Sequence, residues 1–224
     1  MNQKIKLYHS SINIIEKPEY GKGKPYNDYG LGFYTTEDIE LAKEWAVDKY
    51  HDGYANEYEL DLSNLKILNI TKEGNVLNWI ALLLKNRSFI LKNDISIQGR
   101  EFLLNNYLLS YEEYDVIIGY RADDSYFSYA ESFLNNSISL RRLNEALKLG
   151  NLGEQIVLKS KKAFDNLKFV NYLKVSKDDY YPLREKRNND ARDNFLKNKK
   201  GITSTNDIYL NDIMRGVEID DTSL

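Results

Sequence analysis

Glu57-Tyr58-Glu59-Leu60-Asp61-Leu62 sets an acid against an apolar or aromatic side chain at every step. Successive side chains of a strand point to opposite faces, so the pattern predicts a strand with one wet and one buried face. Lys4-Ile5-Lys6-Leu7-Tyr8 repeats the alternation and predicts a second half-buried strand. Outward from this pair, Lys66–Ile70 continues the sheet and Tyr114-Asp115-Val116-Ile117-Ile118-Gly119 reads as a buried strand. Gln155–Lys159 and Lys168–Val175 supply two more.

Helical periodicity fills the intervals. After Thr35-Thr36-Glu37-Asp38, a capping signal with acids in the first turn, Ile39, Ala42 and Ala46 share one face, with Leu41 and Trp45 beside it. Val76–Lys85 brings Trp79, Ile80, Leu83 and Leu84 to a core. Further helices are predicted over Glu101–Ser110, Ser125–Leu134, Leu140–Leu149 (capped by Ser139), Lys161–Leu167 and Asn206–Arg215. Their uneven lengths break the regular alternation of a doubly wound sheet, which favours an α+β fold. Ser10–Leu31, with Pro18, Pro25 and several glycines, reads as a long loop leading into a structured segment. The character changes after Ser176. Residues 1–176 form the expected domain, and residues 177–224 a charged helical extension packed on it.

Composition narrows the chemistry. With 224 residues, 42% hydrophobic and 29% charged, the chain suits one well-filled domain with an extension and excludes a disordered chain. There are no cysteines, so disulfides, thiolate catalysis and cysteine-rich zinc sites are all excluded. A reducing, cytoplasmic setting is the expectation, since Met1–Lys6 lacks a secretory signal and Lys85 and Arg87 interrupt the best apolar run. His9 and His51 are the only histidines, and a histidine metal centre would need both plus carboxylates; no metal is expected. The net charge of −3 gives no global attraction to nucleic acid. Locally, Arg184, Lys186, Arg187, Arg192, Lys197, Lys199 and Lys200 oppose three acids, a patch suited to a nucleic-acid target or an acidic partner, or simply to a solvated helix face.

Three stretches place polar groups beside a strand end or glycine turn. Leu7-Tyr8-His9-Ser10-Ser11 delivers a histidine into a loop, where an imidazole nitrogen can bond a sugar hydroxyl; an exposed loop histidine is the plain alternative. Asp28-Tyr29-Gly30-Leu31-Gly32-Phe33-Tyr34 offers close backbone approach at two glycines and a flat ring at Tyr34, or a mere turn before a core pair. Gly153-Glu154-Gln155-Ile156-Val157 starts an apolar strand with an acid and an amide. Glu154 there can stabilise positive charge on an anomeric carbon, or sit as a solvated carboxylate. Arg121, Asp123 and Asp124 follow a buried strand and can hold a phosphate, with a helix N-cap preferred for Asp124. Arg87 ends a helix, where it can reach a pyrophosphate or remain an exposed terminal cation.

Taken in order, His9-Ser10-Ser11, Gly32-Phe33-Tyr34 before a helix, and Glu154-Gln155-Ile156-Val157 on a late strand resemble the His-Tyr-Glu branch of the ADP-ribosyltransferase superfamily. More closely, the chain resembles a bacterial ADP-ribosyltransferase-like family catalogued only as a domain of unknown function. That likeness rests on Leu7-Tyr8-His9-Ser10, Asn27–Thr36, Ala42-Lys43-Glu44-Trp45-Ala46, Tyr114–Gly119 with Arg121-Ala122-Asp123-Asp124, and Leu152-Gly153-Glu154-Gln155. The resemblance implies a split mixed sheet surrounded by helices and NAD as a substrate, with no metal. It implies transfer of ADP-ribose to a macromolecular acceptor, in a toxin or defence effector that an antitoxin protein restrains. NAD hydrolysis, or an inactive module binding NAD or ADP-ribose, are its neighbours.

By the same resemblance His9 holds the adenosine ribose, the Ser10 backbone grips the nicotinamide amide, and Tyr34 stacks on the nicotinamide ring. It also implies that Glu154 hydrogen-bonds the nicotinamide ribose, while Ser11, Gly32, Arg87 and Arg121 complete the expected cofactor-binding set on their own chemistry and position. Two departures stand out. Ser10 replaces the usual glycine, and Gln155 competes with Glu154 because alternation turns only one of them inward. Glu154 is the expected inward residue.

Overall fold

The computed structural model of the chain describes residues 4–91, 93–121, 124–148, 153–199 and 207–219. Its strands are β1 (Lys4–Ser11), β2 (Phe33–Thr35), β3 (Gly53–Asp61), β4 (Ile67–Asn69), β5 (Val116–Tyr120), β6 (Glu154–Leu158) and β7 (Leu167–Val175). Its helices are α1 (Ile39–Ala46), α2 (Ile70–Glu73), α3 (Val76–Asn86), α4 (Asp94–Tyr107), α5 (Asp124–Leu134), α6 (Leu140–Lys148), α7 (Lys161–Asp165), α8 (Lys177–Lys199) and α9 (Leu210–Met214). The fold is α+β, with two sheets. One has the order β1-β3-β7 and is antiparallel throughout. The other has the order β2-β6-β5-β4 and is mixed, because β4 runs parallel to β5.

Strand alternation explains how the layers stack. Leu7, Tyr58 and Leu60 project from the first sheet, and Phe33, Val116, Ile156 and Leu158 from the second, into one shared apolar core. The opposite face of the first sheet carries Tyr8 and Ala55 against Ala42 and Ala46 of α1. The opposite face of the second presents Leu68, Ile117 and Val157 to the large core built by α3, α4, α5, α6 and α9. Full burial of one such aliphatic side chain contributes about 1.5–3 kcal/mol, so each strand face is firmly assigned.

Among the described residues a single antiparallel bridge links the two sheets. The Tyr8 N–H donates to the Thr36 carbonyl at 2.8 Å and the Thr36 N–H to the Tyr8 carbonyl at 3.0 Å. Beyond Tyr8, β1 continues along β3 while β2 continues along β6, and a cleft opens between them.

Several boundaries differ from expectation for local reasons. Ile70 opens α2 instead of ending a strand, because the Asn69 side chain caps the turn by accepting from the Lys72 N–H. The helix expected from Glu101 starts at Asp94, behind an Asn93–Ser96 capping box. Residues 94–100 carry no apolar periodicity because this face packs closely: a Cβ on Gly99 would lie 2.5 Å from Leu210 Cδ2. In the charged extension, Lys177–Lys199 forms one helix, α8, which lies on α1, α5 and α6. Asp123, the Asp124 side chain and Lys200 lie outside the described residues. Among the described residues no helix is long and apolar enough to cross a membrane.

Candidate functional site

The cleft begins where β1 outruns its bridge to β2. In an antiparallel ladder alternate residues direct both backbone groups to the same neighbour. Tyr8 spends its N–H and C=O on Thr36, so Ser10, two residues on, turns its N–H and C=O to the same side, where β2 has departed. The Ser10 hydroxyl donates to the Ala42 carbonyl at 2.7 Å and pins α1 to the strand end. Ser11 only caps the following loop, accepting from the Asn13 N–H at 3.1 Å. That loop is anchored on β3, since Asn56 accepts from the Ile15 N–H at 3.0 Å and the Tyr58 hydroxyl donates to the Ile15 carbonyl.

His9 projects on the face of Leu7. Its ring stacks on Phe33 at 4.2 Å between centroids, and Nδ1 lies 2.8 Å from the Tyr34 carbonyl. A carbonyl only accepts, so Nδ1 carries the proton and Nε2 is left as the acceptor. Burial pushes the imidazole pKa below its usual 6.5, the Tyr34 carbonyl opposes that shift, and nearby Arg121 reinforces it. His9 is a neutral hydrogen-bond acceptor at neutral pH.

Tyr34 pairs with Val157 across β2 and β6, and Gln155 lies two residues before Val157, so both share the helix-side face. The Tyr34 hydroxyl donates to the Gly30 carbonyl at 2.6 Å and accepts from the Tyr29 N–H at 3.1 Å. Burial raises its pKa, and the phenol stays protonated. Gly30 adopts φ +71°, the left-handed region that this tight return requires. Gly32 is small for a packing reason: a Cβ there would lie 2.7 Å from Val157 Cγ1. Gly32 still borders the cleft.

Gln155, and not Glu154, faces inward. Gln155 is 4% exposed and its Nε2 donates to Asp28 Oδ2 at 2.9 Å and to the Tyr120 carbonyl at 3.3 Å. Glu154 is exposed on the other face, where Thr71 donates to its carboxylate. The expected orientation is therefore reversed. β6 pairs with β2 and β5 together, and that double register sets which residue of the alternation points in.

Arg87 also departs from the exposed-cation alternative. It donates to Asp28 Oδ1 at 2.8 Å and lies over the Phe127 ring. Arg121 leaves the end of β5 and stacks its guanidinium 4.2 Å from the Trp45 ring centroid. Three adjoining cavities run along the cleft, with Tyr34 common to all. A cavity of about 410 Å³ is lined by His9, Ile15, Pro18, Phe33 and Tyr34. A small central one of about 150 Å³ meets His9, Ser10, Tyr34, Trp45, Arg121 and Gln155. The third, about 450 Å³, is lined by Asp28, Tyr34, Arg87, Arg121, Gln155 and Arg184, among others. His9, Ser10, Gly32, Tyr34, Arg87, Arg121 and Gln155 thus border one cleft, while Ser11 and Glu154 line none of these cavities.

Residues 5–169 match the model of a family described as a protein of unknown function, DUF3990. The chain belongs to the DUF3990 family. No curated protein and no solved structure matches it.

The DUF3990 match ends before α8, yet α8 completes the cleft wall. Arg184 and Asn188 line the cavity of about 450 Å³, and Arg184 lies 4.4 Å from the Trp45 centroid while donating to the Val47 carbonyl at 3.0 Å. With Lys24, Arg87 and Arg121, this cavity sets four cations against Asp28, on a chain whose net charge is −3. Such a concentration of guanidinium groups suits phosphate oxygens. Periodicity could mark Trp45 only as a helix-face residue, and Asp28 carried no signal beyond its place in the glycine turn. Arg184 and Asn188 sit in a run that reads simply as charged.

Proposed function

We propose that this chain binds NAD⁺ in the cleft and acts as an ADP-ribosyltransferase on a macromolecular acceptor. The observation that carries the reading is the meeting of His9, Tyr34 and Gln155, from three separate strands, around the opening beside the Tyr8–Thr36 bridge. His9 Nε2 accepts from a ribose hydroxyl. The Ser10 backbone offers a donor and an acceptor to the carboxamide of nicotinamide, and Tyr34 gives its ring a flat wall. Arg87 and Arg121 supply charge for the pyrophosphate.

In the reaction the glycosidic bond between ribose C1′ and nicotinamide breaks, and its electron pair leaves with neutral nicotinamide. The positive charge left on the ribose is captured by an acceptor oxygen or nitrogen, which then gives its proton to water. Capture by water itself would be NAD hydrolysis. Gln155 meets the ribose in place of a carboxylate, and an amide stabilises a cation less than a carboxylate does. That observation favours, as a second reading, a module that binds NAD⁺ or ADP-ribose without turning it over.

Purified chain with adenylate-labelled NAD⁺ and cell extract separates these outcomes. Transfer releases nicotinamide and leaves label on a macromolecule; free ADP-ribose alone means hydrolysis; affinity without consumption means a binding module. Neither binding nor consumption would sink all three. Gln155→Ala is expected to slow consumption by about 100-fold. A larger loss in Glu154→Gln than in Gln155→Ala would return the role to the carboxylate.

A further inference from the structure

The geometry points to Asp28 as a positioning residue for Gln155, so that a loop carboxylate supplies the charge that β6 itself does not aim into the cleft. This rests on the ADP-ribosyl reading of the cleft. Asp28 is 5% exposed, lies in the loop before β2, and borders the same cavity as Tyr34 and Gln155. Its two oxygens face different side chains, Oδ1 receiving Arg87 at 2.8 Å and Oδ2 receiving Gln155 Nε2 at 2.9 Å.

The consequence concerns the Gln155 amide. A glutamine has two N–H donors and one oxygen with two lone pairs. Here both donors point at acceptors, the Asp28 carboxylate and the Tyr120 carbonyl. Only the nitrogen end can face two acceptors, so the flip of the amide is fixed by chemistry. The oxygen is thereby presented as the acceptor for a ligand hydroxyl. A hydrogen bond to a full negative charge polarises the amide toward that oxygen and makes it a better acceptor. Tyr120 holds its carbonyl in place through the Tyr29 hydroxyl at 2.7 Å and Trp79 Nε1 at 3.2 Å, so the frame around Gln155 is rigid. Arg87, at the end of α3, orients Asp28 from the other side.

Two measurements test this on the full chain. Asp28→Asn leaves one acceptor oxygen for two donors, so either Arg87 or Gln155 loses its partner. NAD⁺ turnover is expected to fall by about 10–100-fold with KM changed by less than about threefold. Gln155→Glu instead forces two carboxylates together and also loses turnover. Adding Asp28→Asn to Gln155→Glu relieves that repulsion and is expected to raise turnover above that of Gln155→Glu alone. The same substitution thus harms one background and helps the other, which structural damage would not do. Independently of turnover, in ¹⁵N-labelled chain the Gln155 side-chain NH₂ signals, assigned by their loss in Gln155→Leu, should shift and exchange faster in Asp28→Asn. Unchanged signals, unchanged turnover in Asp28→Asn, or a loss in both backgrounds would overturn the proposal. Shifted signals in a chain that neither binds nor consumes NAD⁺ would keep the Asp28–Gln155 coupling and overturn the ADP-ribosyl reading instead.

Discussion

His9 owes its chemical state to two neighbours. The Tyr34 carbonyl selects the tautomer protonated at Nδ1, and the cover of Phe33 removes the water that would favour a charged ring. Because the folded-state pKa lies below 6.5, the unfolded chain takes up a proton first as pH falls. Stability contributed by neutral, buried His9 is therefore complete above pH 6.5 and is lost as pH drops from 6.5 toward the depressed value. On the proposed function, nucleotide affinity follows the native ring. Titration calorimetry with NAD⁺ is expected to give a flat affinity from pH 8 to 6.5 and a decline only below it. A decline centred at or above 6.5, absent in His9→Ala, would contradict this account of the site.

At the level of elements, the loop before β2 is held by the end of β6. Lys159, one residue past that strand, donates its Nζ to the carbonyls of Tyr29 and Leu31 and so fixes the segment that carries Asp28. Burial lowers its pKa from 10.5 to about 8, with Glu112 opposing the shift. Between about pH 8 and 10.5 the unfolded chain therefore binds more protons at this position than the native one, and stability rises with pH across that window. The urea midpoint of the native chain is expected to increase more between pH 7.5 and 9.5 than that of Lys159→Met. Parallel changes in the two would mean that Lys159 carries no such linkage. The elements themselves were unevenly legible. β3 was plain from its alternation, and β5 from its apolar run up to Gly119, one residue short of the strand's end. α2 was invisible because four residues with a single cap give no period to detect. The first turns of α4 were hidden for a different reason, a face that packs through Gly99 instead of through apolar side chains.

For the molecule as a whole, α8 is bound in through ion pairing as well as packing. Arg187 pairs with Glu44 of α1, whose carboxylate is almost fully buried and whose pKa is raised by desolvation despite that partner. Removing one partner of a buried pair leaves an uncompensated charge. Arg187→Ala is expected to cost roughly 3 kcal/mol, read from urea unfolding, with much of it regained when Glu44→Gln is added. A cost under about 0.5 kcal/mol would mark the pair as a surface contact without weight. The same helix changes the meaning of the basic segment. Arg184 and Arg187, part of a prospective nucleic-acid patch in sequence, are engaged with Trp45, Val47 and Glu44 along and just past α1.

Sequence by itself determined the α+β class, the main strands and most of the helices, because burial periodicity is a local property written into each element. It also picked out His9, Tyr34 and the Glu154-Gln155 pair as polar groups at strand ends. Which of those two faces the cleft was settled only by tertiary structure, since a strand's face depends on the register it takes with neighbours far along the chain. The Asp28 contacts to Arg87 and Gln155 join residues 59 and 127 positions apart, and no local pattern encodes such a meeting. Packing around the split between β1 and β2 brought them together.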